Sequence, residues 1–273
     1  MLIDFHTHCF PNHLAERALE KLSHASGGLI PYTNGTVEGL RCSMRDNNVD
    51  ISIVMNIATN AHQQTKVNDF AASIQNEKDI WAFGSVYPDS ADAFGELERI
   101  RALGLKGVKF HPDYQGFSVD DARLKPLYRK ISSLGLVTVF HAGLDYAFPP
   151  PYGATPEKLA RALLWFDSPV VAAHWGGLNC GEEVLKYLCK TDVFFDTAFG
   201  YGSMPRYYAQ RILDAHGVDK FLFGTDTPWH TVLMEKRLLN TLSLSEAEAE
   251  NLYFGNACQL LSFAPNKNMK LKI

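Results

Sequence analysis

Strand-like and helix-like segments alternate along the whole chain, and this alternation limits the folds open to it. Eight segments are short, rich in β-branched or aromatic residues, and typical of buried parallel strands; they span residues 2–7, 51–57, 80–87, 107–111, 136–141, 170–174, 193–196 and 220–224. Alternating βα units predict a parallel sheet with right-handed crossovers, and eight of them predict a closed (β/α)8 TIM barrel. We predict a single domain over residues 1–273, because no linker divides the chain.

The segments between the strands carry helix signals. We expect helices near residues 36–48, 61–77, 92–103, 120–134, 156–167, 181–190, 204–215 and 232–240. Thr155 before Pro156 places a capping residue ahead of a proline at the first helical position. Ser245 and Glu248 have the spacing of a capping box, which predicts an extra C-terminal helix. An open doubly wound sheet is the alternative fold, but the first strand lacks a following Gly-x-Gly-x-x-Gly turn.

Composition excludes several classes of function. Hydrophobic residues make up 46% of the chain and charged residues 21%, with a net charge of -4, as in an ordinary globular protein. No basic stripe indicates a nucleic-acid partner, and no apolar run is long enough to span a bilayer. The first residues lack the basic and apolar regions of a signal peptide. We therefore expect a cytoplasmic protein without nucleic-acid or membrane partners, and a homo-oligomer is compatible with the sequence.

The cysteines agree with a reducing compartment. They are odd in number and scattered, and they form no Cys-x-x-Cys pair: Cys9, Cys42, Cys180, Cys189 and Cys258. Cys9 directly follows His8, but successive residues of a strand point to opposite faces. We therefore interpret Cys9 as a buried structural thiol rather than as part of a site.

Polar residues at the strand ends indicate a functional site. His6 and His8 lie two residues apart in the first strand, so they point to the same face, and alternation places Asp4 there too. Alone, such a pair is equally well explained as two ordinary histidines. Other strands, however, end in the same residue types, at His111, His141, His174, Asp196 and Asp226. A closed barrel brings its carboxyl strand ends over one mouth, which favours a shared transition-metal site.

The strand-end motifs resemble those of the amidohydrolase superfamily, in particular its amidohydrolase-2 branch, which includes the aminocarboxymuconate semialdehyde decarboxylases. The resemblance covers nearly the whole chain; the motifs are His6-Thr7-His8, Gly107 to Pro112, His141, Ala173 to Gly177, Gly224 to Trp229 and Tyr253 to Ala257. It implies a divalent metal, usually one Zn²⁺, with Mn²⁺ or another divalent ion as an alternative. The implied ligands are His6, His8, His141 and Asp226, and the residue implied to act on the substrate or on metal-bound water is His174.

The chemistry of such a site can also be built from its residue types. A catalytic zinc ion keeps one position open and lowers the pKa of a bound water toward about 7. Asp226 is suited to take a proton from that water, and His174 can stabilise an oxyanion or protonate a leaving group. Asp4 and Asp196 could fix the ring nitrogens of the ligating histidines. Alternatively, both are buried carboxylates satisfied by backbone amides.

Lys109 and His111 share the inward face of the fourth strand. In two-metal members of the superfamily, a lysine on this strand carries a carbamate that bridges the ions. The branch that this chain resembles generally uses one metal and lacks that lysine. We therefore interpret Lys109 as an unmodified ammonium that binds an acidic substrate, with pairing to a buried carboxylate such as Asp4 as the alternative. His111 is interpreted as a substrate contact or as a residue that supports the metal ligands, rather than as a ligand itself.

The loops above the barrel mouth suggest a small organic substrate. Tyr152 follows the fifth strand and Arg206 the seventh, and both are predicted to bind substrate. We predict a metal-dependent hydrolase of an ester, lactone or amide bond. The first alternative is a non-oxidative decarboxylase of a small carboxylic acid, because the resembled group includes such enzymes with nearly the same ligands. The second alternative is a barrel that binds a ligand without turnover.

Overall fold

The computed structural model describes residues 1–76 and 78–262 and has the predicted (β/α)8 barrel architecture. Its eight parallel strands are β1 (Ile3–Thr7), β2 (Ile51–Met55), β3 (Ile80–Phe83), β4 (Gly107–Phe110), β5 (Val137–Phe140), β6 (Val170–Ala172), β7 (Phe194–Asp196) and β8 (Phe221–Leu222). All eight fall inside the predicted segments. The last residue of the predicted helix near 61–77 and residues 263–273 of the predicted domain lie outside the described residues.

Helices follow the strands as expected. Their bounds are α1 (Asn12–Ala25), α2 (Val37–Asn47), α3 (Gln64–Ile74), α4 (Ala93–Ala102), α5 (Pro112–Gln115), α6 (Lys125–Ser133), α7 (Pro156–Leu163), α8 (Gly181–Tyr187), α9 (Arg206–His216), α10 (Val232–Leu239), α11 (Glu246–Glu250) and α12 (Asn256–Leu260). Thr155 caps α7, and the capping box of Ser245 and Glu248 is formed at the start of α11. A π-helical turn, Asn251–Gly255, links α11 to α12. The extra C-terminal helix is therefore confirmed, and it consists of α11, this turn and α12.

The barrel consists of two arcs of paired strands. The small arc is β1-β2-β3 and the large arc is β4-β5-β6-β7-β8. Between β3 and β4 the arcs meet at one isolated bridge, Gly84 to Val108. Between β8 and β1 they meet at the bridge from Thr7 to Thr227, where the His8 amide also donates to the Thr227 carbonyl at 2.6 Å. At this second seam the Phe5 amide also donates to the Phe223 carbonyl at 2.7 Å, and the Asp226 amide donates to the His6 carbonyl at 2.8 Å. Neither seam is a continuous ladder like those within each arc.

A register shift in β1 changes the expected alternation of its side chains. Asp4 lies opposite Ser52 of β2, but Thr7 lies opposite a residue only two positions further along β2, so β1 contains a bulge or irregularity. Phe5 packs within the cluster of residues that fills the barrel, while its neighbour His6 reaches the barrel mouth. Strict alternation, from which we expected Asp4 to share the face of His6, therefore does not hold across this segment.

The C-terminal segment closes the end of the barrel opposite the mouth. Phe254, Cys258 and Leu261 belong to the same buried cluster as Ile3 and Phe5 near the start of β1. Burying each large apolar side chain of this kind contributes about 1.5–3 kcal/mol to stability. A second, larger cluster fills the layer between the strands and the surrounding helices. The two clusters leave the carboxyl ends of the strands as the place where polar groups can gather.

The thiols and the helices agree with two further expectations. The structure pairs none of the cysteines in a disulfide, and Cys9 is 4% exposed, which confirms that it is buried. Within residues 1–76 and 78–262, no helix has the length and apolar character that a membrane crossing needs.

Candidate metal centre at the barrel mouth

The strand ends bring most of the predicted site residues into one buried cluster. His6 and Lys109 are each 1% exposed and His174 is 3% exposed. The cluster draws on strands of both arcs, at positions that follow or end β1, β4, β5, β6, β7 and β8: His6, His8, Lys109, His141, His174, Asp196 and Asp226. Gly224 permits this convergence, because a Cβ atom there would lie 2.9 Å from the Cβ of His6.

His6, His8 and Asp226 converge on a common point. The Nε2 atoms of His6 and His8 are 3.2 Å apart. Oδ1 of Asp226 lies 3.1 Å from Nε2 of His8 and 3.5 Å from Nε2 of His6. These three atoms belong to ligand types that zinc and other divalent transition metals accept.

The hydrogen bonds of the two rings fix the chemical character of this point. Nδ1 of His8 lies 2.8 Å from the Met55 carbonyl oxygen, which can only accept, so Nδ1 carries the hydrogen. Nδ1 of His6 lies 2.8 Å from Oδ2 of Asp196 and likewise donates. In the neutral rings both Nε2 atoms therefore carry a lone pair and no hydrogen, and they face each other beside a carboxylate. Three electron-rich atoms at these distances favour a cation or a shared proton between them.

Lys109 supplies positive charge next to this point. Its Nζ lies 3.2 Å from Nε2 of His6. Burial lowers the pKa of Lys109 to about 8, although Asp196 and Asp226 favour its charged form. Asp4 is not its partner, because Oδ2 of Asp4 accepts from the Thr225 hydroxyl at 2.6 Å. The ammonium therefore adjoins the candidate metal position directly.

In His141 and His174, a second pair of ring nitrogens face each other, each with a lone pair. Nδ1 of His174 donates to the Ala198 carbonyl at 3.1 Å, and Nε2 of His141 donates to the Leu144 carbonyl at 3.1 Å. This leaves Nε2 of His174 and Nδ1 of His141 as acceptors only 3.0 Å apart in the neutral rings. Burial lowers the pKa of both histidines. A metal ion or a shared proton would resolve this contact as well.

The carboxylates around the cluster have different charge states. Burial alone would raise the pKa of Asp196, but the neighbouring His6 holds it below its ordinary value. The pKa of Asp226 is also held low against burial, by its hydrogen bond with His8 and the charges of the histidines. Burial raises the pKa of Asp4 to about 7, although Thr225 donates two hydrogen bonds to it. Asp196 accepts a hydrogen bond from His6, whereas Asp4 accepts hydrogen bonds from Thr225, the residue before Asp226.

The remaining predicted residues lie at different distances from the cluster. The ring of His111 stacks on that of His141 with a centroid separation of 4.1 Å. Tyr152 is half-buried, and its carbonyl accepts a hydrogen bond from Lys158. Arg206 is exposed and donates to the Thr241 carbonyl at 2.7 Å. The substrate-binding roles of Tyr152 and Arg206 therefore remain predictions.

Three residues near the mouth were missed by the sequence interpretation. Asp145 lies 3.1 Å from Nε2 of His111. Glu235 accepts from Nδ1 of His230 at 2.6 Å and from the backbone amides of the β7 loop. Asp145 stands four residues after His141, and His230 four residues after Asp226. Closeness in sequence to a predicted site residue was the only feature of the sequence that could have pointed to them.

The fold and the cluster together define a metal-binding barrel enzyme. The chain belongs to the amidohydrolase-2 family, described as Amidohydrolase, whose model it matches over residues 3–263. Among curated protein sequences, none matches the chain.

Several solved structures share the fold. An uncharacterized TIM-barrel protein from Bordetella bronchiseptica has a TM-score of 0.75 at 19% identity, over 96% of this chain and 98% of that chain. The 5-carboxyvanillate decarboxylase of Sphingomonas paucimobilis has a TM-score of 0.69 at 17% identity, over 96% and 99%. Dihydroxybenzoic acid decarboxylase from Polaromonas sp. JS666, with bound manganese and the inhibitor 2-nitroresorcinol, has a TM-score of 0.68 at 16% identity, over 99% of both chains.

Proposed function

We propose that this protein is a metal-dependent, non-oxidative decarboxylase of a small carboxylic acid. The observation that carries the proposal is the buried ammonium of Lys109, 3.2 Å from a ring nitrogen at the candidate metal position. An ion and a fixed cation side by side suit a substrate whose reacting group is an anion. Two of the similar structures described above are named as decarboxylases, which favours this alternative over the hydrolysis that we expected first.

We propose that these residues hold one divalent ion. We assign the ligand atoms to Nε2 of His6, Nε2 of His8, Nδ1 of His141 and a carboxylate oxygen of Asp226. Each histidine in this set donates its other ring nitrogen to a carboxylate or a carbonyl, the arrangement typical of metal-bound histidines. The bound ion would act as a Lewis acid toward substrate oxygens. We propose Zn²⁺ or Mn²⁺, with manganese suggested by the Polaromonas structure.

Lys109 and His174 then have separate roles. Once His6 binds the ion, the Lys109 ammonium is free to donate to the substrate carboxylate and orient it. The C–C bond to the carboxylate breaks, its electron pair remains on the substrate carbon, and CO₂ leaves. A proton must be added at that carbon. We assign its delivery to Nε2 of His174, because Nδ1 is held by Ala198; this nitrogen would first take up a proton from solvent and then pass it to the substrate carbon.

Hydrolysis of an ester, lactone or amide is the second candidate. The observation that favours it is Asp226, whose pKa is held low, so that an ionised carboxylate stands beside the metal position. In that reaction Asp226 would accept the proton of the attacking water, and His174 would stabilise the oxyanion or protonate the leaving group.

A substrate panel with two readouts tests the proposal. The protein, loaded with Zn²⁺ or Mn²⁺, is incubated with 5-carboxyvanillate, dihydroxybenzoates and a set of simple esters and lactones. CO₂ release and hydrolytic proton release are recorded in parallel, with chelator-treated protein as the control. We expect metal-dependent CO₂ release from at least one carboxylic acid. Hydrolysis of the esters or lactones without CO₂ from any acid would overturn the decarboxylase assignment and favour the second candidate.

A further inference from the structure

A polar pair beside the metal cluster is not used by the chemistry described so far. His111 follows β4, and Asp145 lies on the loop after β5. We propose that Asp145 is a positioning residue that fixes His111 so that Nδ1 of His111 accepts a hydrogen bond from a hydroxyl group of the substrate. The proposal rests on the mouth being the substrate site, as proposed above, but not on which bond is broken there.

The hydrogen bonds of His111 define the polarity of its free nitrogen. Nε2 of His111 lies 3.1 Å from Oδ2 of Asp145, and a carboxylate can only accept, so Nε2 carries a hydrogen. Nδ1 is buried and has no hydrogen-bond partner in the structure, and the whole residue is only 6% exposed. In the neutral ring Nδ1 is therefore an unpaired acceptor. Leaving such a group buried without a partner is unfavourable, and a donor on the substrate would offset that cost.

The ring cannot easily turn to find another partner. It stacks on His141 with an interplanar angle of 12° and a centroid separation of 4.1 Å. The ring of Tyr114 meets it edge-on at 4.6 Å. Asp145 is itself held, because its Oδ1 accepts from the Ala147 amide at 2.7 Å. The direction of Nδ1 is therefore set by contacts on two sides of the ring and at Nε2.

A second unpaired oxygen nearby points to the same kind of ligand. Oδ1 of Asp113 accepts from the Gly153 amide at 2.8 Å, but its Oδ2 is buried without a partner. Asp113 stands two residues after His111, and burial raises the pKa of its carboxyl group. The region beside the metal cluster thus offers acceptors, whereas Lys109 offers a donor. A substrate with a carboxylate at one end and a hydroxyl group at the other satisfies both.

Binding measurements on matched probes test this assignment independently of turnover. The probes are the three positional isomers of hydroxybenzoate and of methoxybenzoate, since a methoxy oxygen accepts hydrogen bonds but cannot donate. Their dissociation constants for metal-loaded protein are measured by calorimetry in wild type and in the variants Asp145→Asn and His111→Phe. Asp92→Asn, at an exposed position, is the matched control. Metal content and melting temperature are recorded for every variant.

We expect wild type to bind at least one hydroxy isomer about tenfold or more tightly than its methoxy partner, the size of one well-placed hydrogen bond. Asp145→Asn can donate to Nε2, which permits the other tautomer and turns Nδ1 into a donor. The hydroxy preference should therefore shrink in Asp145→Asn and vanish in His111→Phe, with metal content unchanged. If the substitutions weaken the binding of both probes of a pair equally, the role of these residues is purely structural and the proposal is wrong. Wild-type protein that binds neither probe, or that binds both equally well, would also overturn the proposal. Absence of CO₂ release would affect only the proposed function.

Discussion

His8 and His174 each have one ring nitrogen held by a backbone carbonyl, yet they are placed to do different work. Nε2 of His8 points at a carboxylate and another histidine, as a metal ligand should. Nε2 of His174 lies 3.0 Å from Nδ1 of His141, and it would become free if His141 bound a metal ion. Because both rings donate from Nδ1 to a carbonyl, the neighbours of Nε2, rather than the tautomer, would separate the proposed metal binding by His8 from the proposed proton transfer by His174.

Replacing His8 should abolish metal binding. His8→Ala removes one of three converging ligand atoms while leaving the backbone of β1 intact, so we expect loss of most bound metal and nearly all activity with the fold retained. Metal content by elemental analysis and circular dichroism check this. The matched control is His62→Ala at an exposed position. Stoichiometric metal in a His6→Ala/His8→Ala double variant would rule out the ligand assignment.

Replacing His174 should separate activity from metal content. Because His174 is assigned to proton transfer, His174→Ala should keep its metal ion while turnover falls by about 10²-fold or more, the usual scale for such groups. Turnover and metal content are measured on the same preparation. If metal content falls in parallel with turnover, His174 is a ligand instead.

Replacing Lys109 should weaken substrate binding. Lys109→Met keeps the length of the side chain but removes the ammonium, so KM should rise with little change in metal content. Lys66→Met, at an exposed position, serves as the control. A metal titration that saturates at two equivalents, with activity of Lys109→Ala restored by short carboxylic acids, would instead indicate a carbamate bridging two ions.

Among the elements, α10 and the loop after β7 are joined by one buried carboxylate. Oε2 of Glu235 on α10 accepts from the amides of Gly200 at 2.9 Å and Tyr201 at 3.2 Å. Its Oε1 accepts from His230, whose ring stacks on Phe199. This loop also contains the carbonyl that holds His174. Glu235 therefore supports the position of a candidate catalytic residue without touching it.

Glu235 should make stability depend on pH in a defined direction. Burial raises its pKa from 4.5 to about 7. Between these values the unfolded chain is ionised at this position and the folded chain is protonated, so a rise in pH favours unfolding. The free energy of unfolding of wild type minus that of Glu235→Gln should fall from pH 5 to pH 7, by up to about 1.4 kcal/mol per unit. Urea denaturation of both proteins measures it; a constant or rising difference would contradict the assignment.

For the whole molecule, the candidate metal centre lies across the seam between β1 and β8. His6 and His8 belong to the small arc, whereas Asp226 follows β8 of the large arc. Backbone hydrogen bonds such as that from the Asp226 amide to the His6 carbonyl already join the arcs there, and a metal ion bound to all three residues would add a direct connection. Metal binding and barrel closure should therefore stabilise each other.

Removing the metal should loosen this seam first. We expect chelated protein to melt at a lower temperature, and amide exchange to increase most in β1 and in the residues after β8. Differential scanning calorimetry and hydrogen exchange followed by mass spectrometry measure both effects. Exchange that increases evenly over all eight strands would show that the ion does not act on the seam.

The sequence predicts the barrel well because its signals are local. Each strand is a short apolar run, and the end of the strand nearest the mouth carries a recognisable polar residue such as His141. The irregularity of β1 could not be predicted, because it depends on register against β2 rather than on the residues of β1. Asp145 and Glu235 were missed for a similar reason. Their partners are defined by loops that meet only in the folded chain, and neither stands in a motif.

The residues of the candidate site are also divided between the two arcs. The small arc holds His6 and His8, and the large arc holds His141 and Asp226, so neither arc alone contains all the proposed ligands. A chain divided within residues 84–92, between β3 and α4, would yield two polypeptides that are each unable to hold the ion in this way. Association of the two polypeptides would rebuild the site. Metal binding could then be used as a measure of that association.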